Sequence, residues 1–337
     1  MPAHGPSPAL FFDTISGYER TEALRAALVL DLFTIIGTGC RTAVQIAESC
    51  QASPRGMRIL ADYLTILGFL RKEGGDYLLT PDSEVFLTRT SPAFLGGAVE
   101  FLLTPQIEGC FRRLADAVRK GGTATSEEGT VSHDNPIWVA FARAMAPMMK
   151  LPAQLLAELA GGDRQHPLRV LDVAAGHGLF GLAFAERYPQ ARITALDWPN
   201  VLAVASENAR RAGVSDRHTL LPGSAFDTDW GGPYDLVLLT NFLHHFDVST
   251  CETLAARARA VLVPGGRALT LEFVPEADRV TPPATARFAL TMLATTAHGD
   301  AYTFAEYDGI FTRAGFARNE LHPLPPTTQQ AVVSYKA

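Results

Sequence analysis

Val170-Leu-Asp-Val-Ala-Ala-Gly-His-Gly-Leu-Phe-Gly181 decides the fold. An apolar run passes into small residues and then into a helical pattern. That order predicts a strand over Arg169–Val173, a tight turn, and a helix over Leu179–Arg187. Gly176 and Gly178 allow the turn's backbone to approach a ligand, and the helix behind it aims unpaired N–H groups the same way. Gly176, Gly178 and Gly181 also fit the G-x-G-x-x-G spacing of dinucleotide-binding turns. A nicotinamide cofactor is therefore one reading of the turn, and a plain tight turn is another.

Asp172 separates these readings. A carboxylate just ahead of the turn would repel a pyrophosphate. It suits a cofactor with positive charge and no phosphate, as S-adenosylmethionine is. Ala174 lies in the turn itself. Asp197 ends the next strand, 21 residues after Gly176. Open nucleotide-binding sheets place an acid there on the ribose hydroxyls. Trp198-Pro199 follows it, and Gly223-Ser224-Ala225-Phe226 stands after the third strand, where residues flank an adenine.

Working outward, further strands are expected over 193–196, 219–221, 236–239 and 268–273. Helices are expected between them over 201–212 and 249–261. Apolar strands alternating with amphipathic helices imply a parallel sheet covered on both faces. Helical patterns over 284–297 and 303–313 follow. Two strand-like pieces over 316–322 and 331–335, separated by Pro323, Pro325 and Pro326, suit a hairpin at the sheet's edge.

Asn241-Phe-Leu-His-His-Phe-Asp247 stands at the carboxyl end of the fourth strand, the end where such sheets bind ligands. His244 and His245 therefore point towards the site. A phenol with pKa ~10 that loses its proton as it attacks a methyl group can pass it to an imidazole of pKa ~6.5. Glu272, at the end of the neighbouring fifth strand, is placed to fix the imidazole's tautomer. No dense carboxylate cluster or His-x-x-x-His spacing suggests a metal.

Ahead of this region the pattern is different. Apolar residues recur at helical spacing from Leu10 to Ile36. Thr42 and Ser53 read as helix caps, and residues 68–80 read as two strands about a Gly-Gly turn. Helix, helix, helix, hairpin is the winged-helix order, which raises DNA binding. Residues 1–100 carry 8 basic and 11 acidic side chains, and the whole chain of 337 residues carries a net charge of -6. A groove-reading domain needs a cationic surface, so a packing or dimerisation role is the better reading and nucleic acid is not expected. Residues 121–135 read as a polar surface loop. The helical pattern over 136–159 brings Trp138, Phe141, Met145 and Met148 together. Three segments are expected: 1–100, a helical linker over 101–160 that contributes to a substrate pocket, and a cofactor-binding catalytic domain over 161–337. Four scattered cysteines suggest reduced thiols in the cytoplasm. No signal peptide or membrane span is expected.

These residues resemble the small-molecule O-methyltransferases of the plant caffeic-acid and acetylserotonin type and their bacterial relatives, over nearly the whole chain. The resemblance implies a class I methyltransferase Rossmann-like sheet, parallel with an antiparallel edge hairpin, behind a mainly helical winged-helix-like dimerisation domain. It implies a homodimer and S-adenosylmethionine as methyl donor, with S-adenosylhomocysteine as product. Val170-Leu-Asp-Val-Ala-Ala-Gly-His-Gly matches the family's cofactor loop, usually richer in Gly. Leu196-Asp-Trp-Pro matches its acid-then-proline turn, which assigns ribose binding to Asp197. Leu243-His-His-Phe-Asp with Cys251 looks like its Leu-His-Asp-Trp-x-Asp-x-x-Cys stretch, which assigns the base to His244. Leu271-Glu-Phe-Val-Pro assigns Glu272 beside that base. Phe141-Ala-Arg-Ala-Met145 resembles a helix near substrate and cofactor.

The expected cofactor residues are Asp172, Ala174, Gly176, Gly178, Asp197, Trp198, Ser224, Ala225, Phe226 and Asn241. The expected substrate residues are Phe141, Met145, His245 and Met292. Three positions depart from the family pattern: Ser224 stands where Asp is usual, His245 where Asp is usual, and Ala301 near the place of a second Glu. Within the same fold, methyl transfer to nitrogen or carbon, or a reaction without transfer, are the alternatives.

Overall fold

The computed structural model describes residues 5–126, 129 and 137–337. The chain divides into two compact units, Met1–Val99 and Glu100–Ala337. Most of the loop expected over 121–135, and Pro136 ahead of the long helix, lie outside the described residues.

In the first unit, α1 (Ala9–Ile15), α2 (Gly17–Val29), α3 (Leu32–Gly37), α4 (Ala43–Ser49) and α5 (Pro54–Ile66) precede β1 (Leu70–Glu73), β2 (Asp76–Leu79) and α6 (Pro81–Leu87). The apolar stretch from Leu10 to Ile36 is broken twice, at Ser16 and at Asp31, whose φ of 53° ends the helical path. Thr42 accepts from the Gln45 N–H while the Gln45 side chain returns to the Thr42 N–H, and Ser53 accepts from the Gly56 N–H. Each such cap is worth about 1 kcal/mol. Leu32, Phe33, Ile46, Met57, Leu64 and Tyr77 close the core of this unit. By contrast, α1 buries none of its residues, and Leu10 is 78% exposed.

At the boundary stands α7 (Val99–Leu102), and in the second unit α8 (Pro105–Arg112), α9 (Leu114–Lys120) and the long α10 (Ile137–Leu159) lead into the sheet. The succession is then β3 (Arg169–Val173), α11 (Leu179–Arg187), β4 (Arg192–Asp197), α12 (Pro199–Arg211), β5 (His218–Pro222), β6 (Tyr234–Thr240), α13 (Val248–Val261) and β7 (Leu262–Glu272). It ends with α14 (Pro283–Ala286), α15 (Phe288–Thr295), α16 (Phe304–Arg313), β8 (Arg318–Pro323) and β9 (Gln330–Tyr335). The helical pattern over 284–297 is two helices, parted at Arg287. The fifth strand begins six residues before the expected 268 and stops at Glu272, ahead of Phe273.

The sheet order is β5-β4-β3-β6-β7-β9-β8, parallel from β5 to β7 and antiparallel at β9 and β8. Strand alternation feeds two cores. Leu236 and Leu238 of β6 face the core shared with α10 and α11, while Val237 and Leu239 face the one shared with α13 and α16. β3 lies between β4 and β6, so the connections diverge there and leave a crevice beyond the strands' carboxyl ends. The 101–160 segment belongs to this second unit, because α10 packs along α11.

Candidate active site

The carboxyl ends of β3, β4, β5 and β6 open on a cavity. Ala174 and Gly176 reach it from the turn after β3, and Asp197 and Trp198 from the end of β4. Ser224, Ala225 and Phe226 line it beyond β5, Asn241 beyond β6, and Trp138, Phe141 and Met149 from α10. The strand-end residues come together because parallel strands in register finish at one level.

Gly176 has φ of 58° and gives its N–H to Asp197 Oδ2 at 2.8 Å, while the Trp198 N–H holds Asp197 Oδ1 at 2.7 Å. The Asp197 carboxylate is thus aimed by backbone and keeps lone pairs for a diol. Burial pushes its pKa up to about 6 against those two hydrogen bonds. Gly178 serves packing rather than the cavity wall. Its φ is 75°, and a Cβ there would stand 2.9 Å from the Ala205 Cβ of α12. Gly181 likewise lets α11 approach the sheet, since a Cβ would meet Ile193 Cγ2 at 2.6 Å.

Asp172 does not stand where the expected contact with a cofactor cation requires. Its carboxyl is fully buried, and Oδ2 accepts the Gly181 N–H at 2.9 Å. The period of two in β3 puts Asp172 on the same face as Val170, under α11, rather than at the strand's open end. Oδ1 is buried with no hydrogen-bond partner among the described residues. Burial raises the carboxyl to about 7, with the nearby Asp197 adding to the rise.

The turn after β6 carries the imidazoles. Glu272, fully buried at the end of β7, binds His244 Nδ1 through Oε2. Its Oε1 accepts from the N–H groups of Phe242 at 3.0 Å and Leu243 at 2.9 Å. The carbonyls of the turn are held as well. Cys251 Sγ donates to Leu243 O at 3.2 Å, the Asp300 N–H to His244 O at 3.0 Å, and Tyr302 OH to Phe246 O at 2.6 Å. The Asp300 side chain pairs instead with Arg279 at 3.2 Å, so it does not supply a second carboxylate to the base.

His245, not His244, lines the cavity. The two rings lie 4.3 Å apart, and Trp138 meets His245 edge-on at 5.3 Å. Burial first, then the neighbouring His244, holds His245 well below the usual imidazole range. No carboxylate orients it among the described residues, and its Nδ1 is buried without a partner. It stands on the cavity wall with its ring biased towards the neutral form. Phe141 lines the cavity as expected, whereas Met145 packs on the core beside α11 and Met292 is enclosed at 4% exposure. Met149, one turn beyond Met145 and past Pro147 within α10, takes the wall position instead.

His177 lies inside the deciding turn, where the strand, turn and helix pattern does not mark it as a site residue. It lines the cavity, its Nδ1 accepts the Leu179 N–H at 3.1 Å, and burial lowers it to about 4. Nε2 therefore carries the proton of a neutral ring. Among the described residues no three His, Cys, Asp or Glu side chains gather as metal ligands.

The cavity fits an adenosyl cofactor with a cationic centre. A backbone-aimed carboxylate at Asp197 is available to a ribose diol, small residues and Trp198 line the neighbouring wall, and beneath the loop Asp172 keeps an acceptor atom without a partner among the described residues. Residues 111–317 match the O-methyltransferase domain and residues 12–89 the O-methyltransferase dimerisation domain. The chain is 30% identical to mouse acetylserotonin O-methyltransferase over 326 residues, covering 92% of this chain and 84% of that one. It is 27% identical to the 3-hydroxy-5-methyl-1-naphthoate 3-O-methyltransferase of Streptomyces sahachiroi, covering 93% and 91%. A Nostoc punctiforme crystal structure assigned to the O-methyltransferases superposes with a TM-score of 0.94 at 51% identity, over 99% of this chain and 100% of that one. With a strand-end cavity, a dimerisation domain and this similarity across the whole chain, the protein belongs to the family of S-adenosylmethionine-dependent small-molecule O-methyltransferases.

Proposed function

We propose that the protein methylates a phenolic hydroxyl of a small aromatic molecule, with His244 as general base. One observation carries this reading. Glu272 binds His244 Nδ1, so Nδ1 keeps the proton and Nε2 is left with the lone pair. A base needs that lone pair. The rings of His245 and Phe288 lie 4.3 Å and 4.8 Å from that of His244, which gives a flat aromatic acceptor walls beside that base. The named substrates of the mouse and Streptomyces relatives are aromatic hydroxyl compounds, which supports the same class here.

When bound, S-adenosylmethionine supplies a sulfonium-activated methyl group. Asp197 would hold its ribose, with Gly176 fixing that carboxylate. Ala174, Trp198, Ser224, Ala225, Phe226 and Asn241 would border the rest, and Asp172 would act as a charge beneath the loop. His244 Nε2 takes the acceptor's proton as the oxygen attacks. Glu272 then faces an imidazolium, and its negative charge stabilises it from a site closed to water. The reading invokes no metal.

We assign the first unit to homodimer formation. The matched dimerisation domain supports this, and the bare apolar face of α1 gives a second copy something to cover. Among the described residues no helix is long and apolar enough to cross a membrane, and the four cysteines are free. A reducing, cytoplasmic setting agrees with those thiols.

Incubation with methyl-labelled S-adenosylmethionine and a panel of phenols, anilines and enolisable acids tests the reaction. Label on a phenolic oxygen is the expected result. Label on nitrogen or carbon alone would overturn the hydroxyl assignment.

A further inference from the structure

Asn241 is the residue at which β6 turns into the base-bearing segment, and its backbone is strained. Its φ is 52°, in the left-handed region. Such residues persist where their surroundings over-determine them. Its N–H donates to Leu271 O at 2.8 Å. Its side chain is gripped from two further elements. Asn241 Nδ2 meets Met149 Sδ of α10 at 3.6 Å, and Asn241 Oδ1 accepts from Gln329 Nε2.

Gln329 comes from the turn between β8 and β9, remote in sequence from every other site residue. It is only 3% exposed. Its own backbone is fixed by Thr327, whose hydroxyl accepts the Gln329 N–H at 3.4 Å and donates to Gln329 O at 3.2 Å. Gln330 pairs with Glu272 across β9 and β7. The edge hairpin therefore delivers an amide to the sheet end where the cavity lies. A buried amide is costly unless its hydrogen bonds are made. Among the described residues, Asn241 provides the one found for the Gln329 side chain.

We propose that Gln329 is a positioning residue for the cofactor pocket, clamping Asn241 in its left-handed conformation on the cavity wall. The proposal rests on the reading of this cavity as the S-adenosylmethionine site. Without the clamp, Asn241 relaxes towards ordinary φ, and the wall and the 242–245 turn move with it. Gln329 itself touches neither cofactor nor acceptor.

The test uses the full-length protein, with S-adenosylhomocysteine as the calorimetric probe. Gln329→Met keeps length and volume but removes the amide. It should weaken S-adenosylhomocysteine about tenfold while the unfolding temperature moves by no more than a few degrees. Gln329→Asn, one methylene short of Asn241, should repeat this pattern. Asn241→Gly adopts φ above zero without help, so adding Gln329→Met to it should change the dissociation constant less than twofold. Fully multiplicative losses in the double variant, or wild-type affinity in both single Gln329 variants, would overturn the clamp. Hydrogen exchange gives a readout free of the cofactor. The amides of 241–244 should exchange about tenfold faster in Gln329→Met and elsewhere remain as in the wild type. Unchanged exchange there overturns the proposal, even if the wild type binds no S-adenosylhomocysteine, a result that would strike only the cofactor reading.

Discussion

Glu272 holds His244 by two handles, one oxygen on the ring and the other on the backbone that carries the ring. Orientation of the imidazole and placement of its turn are therefore one structural property. His244→Ala should lower turnover by about 10²- to 10⁴-fold, with S-adenosylhomocysteine affinity within a few fold of wild type. Glu272→Gln should also lower turnover, because an amide N–H facing Nδ1 reverses the tautomer. It should reduce stability too, by about 1–3 kcal/mol, as the weakened acceptor leaves buried N–H groups poorly paired. Single-turnover rates and calorimetry on both variants check this. An active His244→Ala enzyme would remove the base assignment.

His245 calls for a different outcome. It sits on the cavity wall, is held neutral by burial, and has no orienting carboxylate among the described residues. His245→Asn should raise KM for the acceptor more than it lowers kcat, and the lower pKa of the kcat profile should stay in place. If the profile lost that limb in His245→Asn and kept it in a residually active His244 variant, the roles of the two rings would have to be exchanged.

Much of this was legible before the structure, and the omissions have physical causes. The helix over Leu179–Arg187 and the strand before it follow from local pattern alone. The pairing of Glu272 with His244 follows from two adjacent parallel strands ending at one level. Asp172 departs from its expected place because parity in β3, and not nearness to the turn, sets its direction. Parity sends it under α11. Met145 gave way to Met149 in a helix interrupted by Pro147, where simple periodicity is unreliable. Gln329 carries no local signal, since its meaning depends on a contact 88 residues away in sequence.

The buried carboxyl at Asp172 gives stability a pH dependence of definite sign. Its folded pKa, about 7, lies above its ordinary value of 3.8. Between those values the folded state binds the proton more often than the unfolded state, so this group's contribution falls as pH rises. His177 and His245 act oppositely below about pH 6.5, because burial lowers them. Asp172→Asn isolates the carboxyl. Wild-type stability relative to that variant should fall from pH 5 to pH 8, by at most about 4 kcal/mol. Affinity for S-adenosylmethionine should move the other way in the wild type, rising across the same range as the carboxylate forms, and be flatter in Asp172→Asn. Denaturant titrations and calorimetry at four pH values check both slopes. A difference curve without slope would mean that the carboxyl titrates normally.

Ala174 is the second strained position on the cavity wall. Its φ of 53° places a side chain where glycine is at ease. A left-handed non-glycine residue costs about 1–2 kcal/mol, while a glycine adds about 0.5–1 kcal/mol of backbone entropy to folding. Ala174→Gly should therefore be neutral to about 1 kcal/mol stabilising, a rise of up to about 4 °C in a domain of this size. Ala174→Val should fall on the opposite side by more than 1 kcal/mol, since a β-branched residue resists this conformation. Its added methyls would also enter the cavity, so S-adenosylhomocysteine should bind the Val variant more weakly and the Gly variant as before. Thermal unfolding of the three proteins orders them Gly, Ala, Val if the turn keeps its conformation. A Val variant as stable as wild type would mean that position 174 leaves the left-handed region at little cost, and the strain assigned to this wall would be absent.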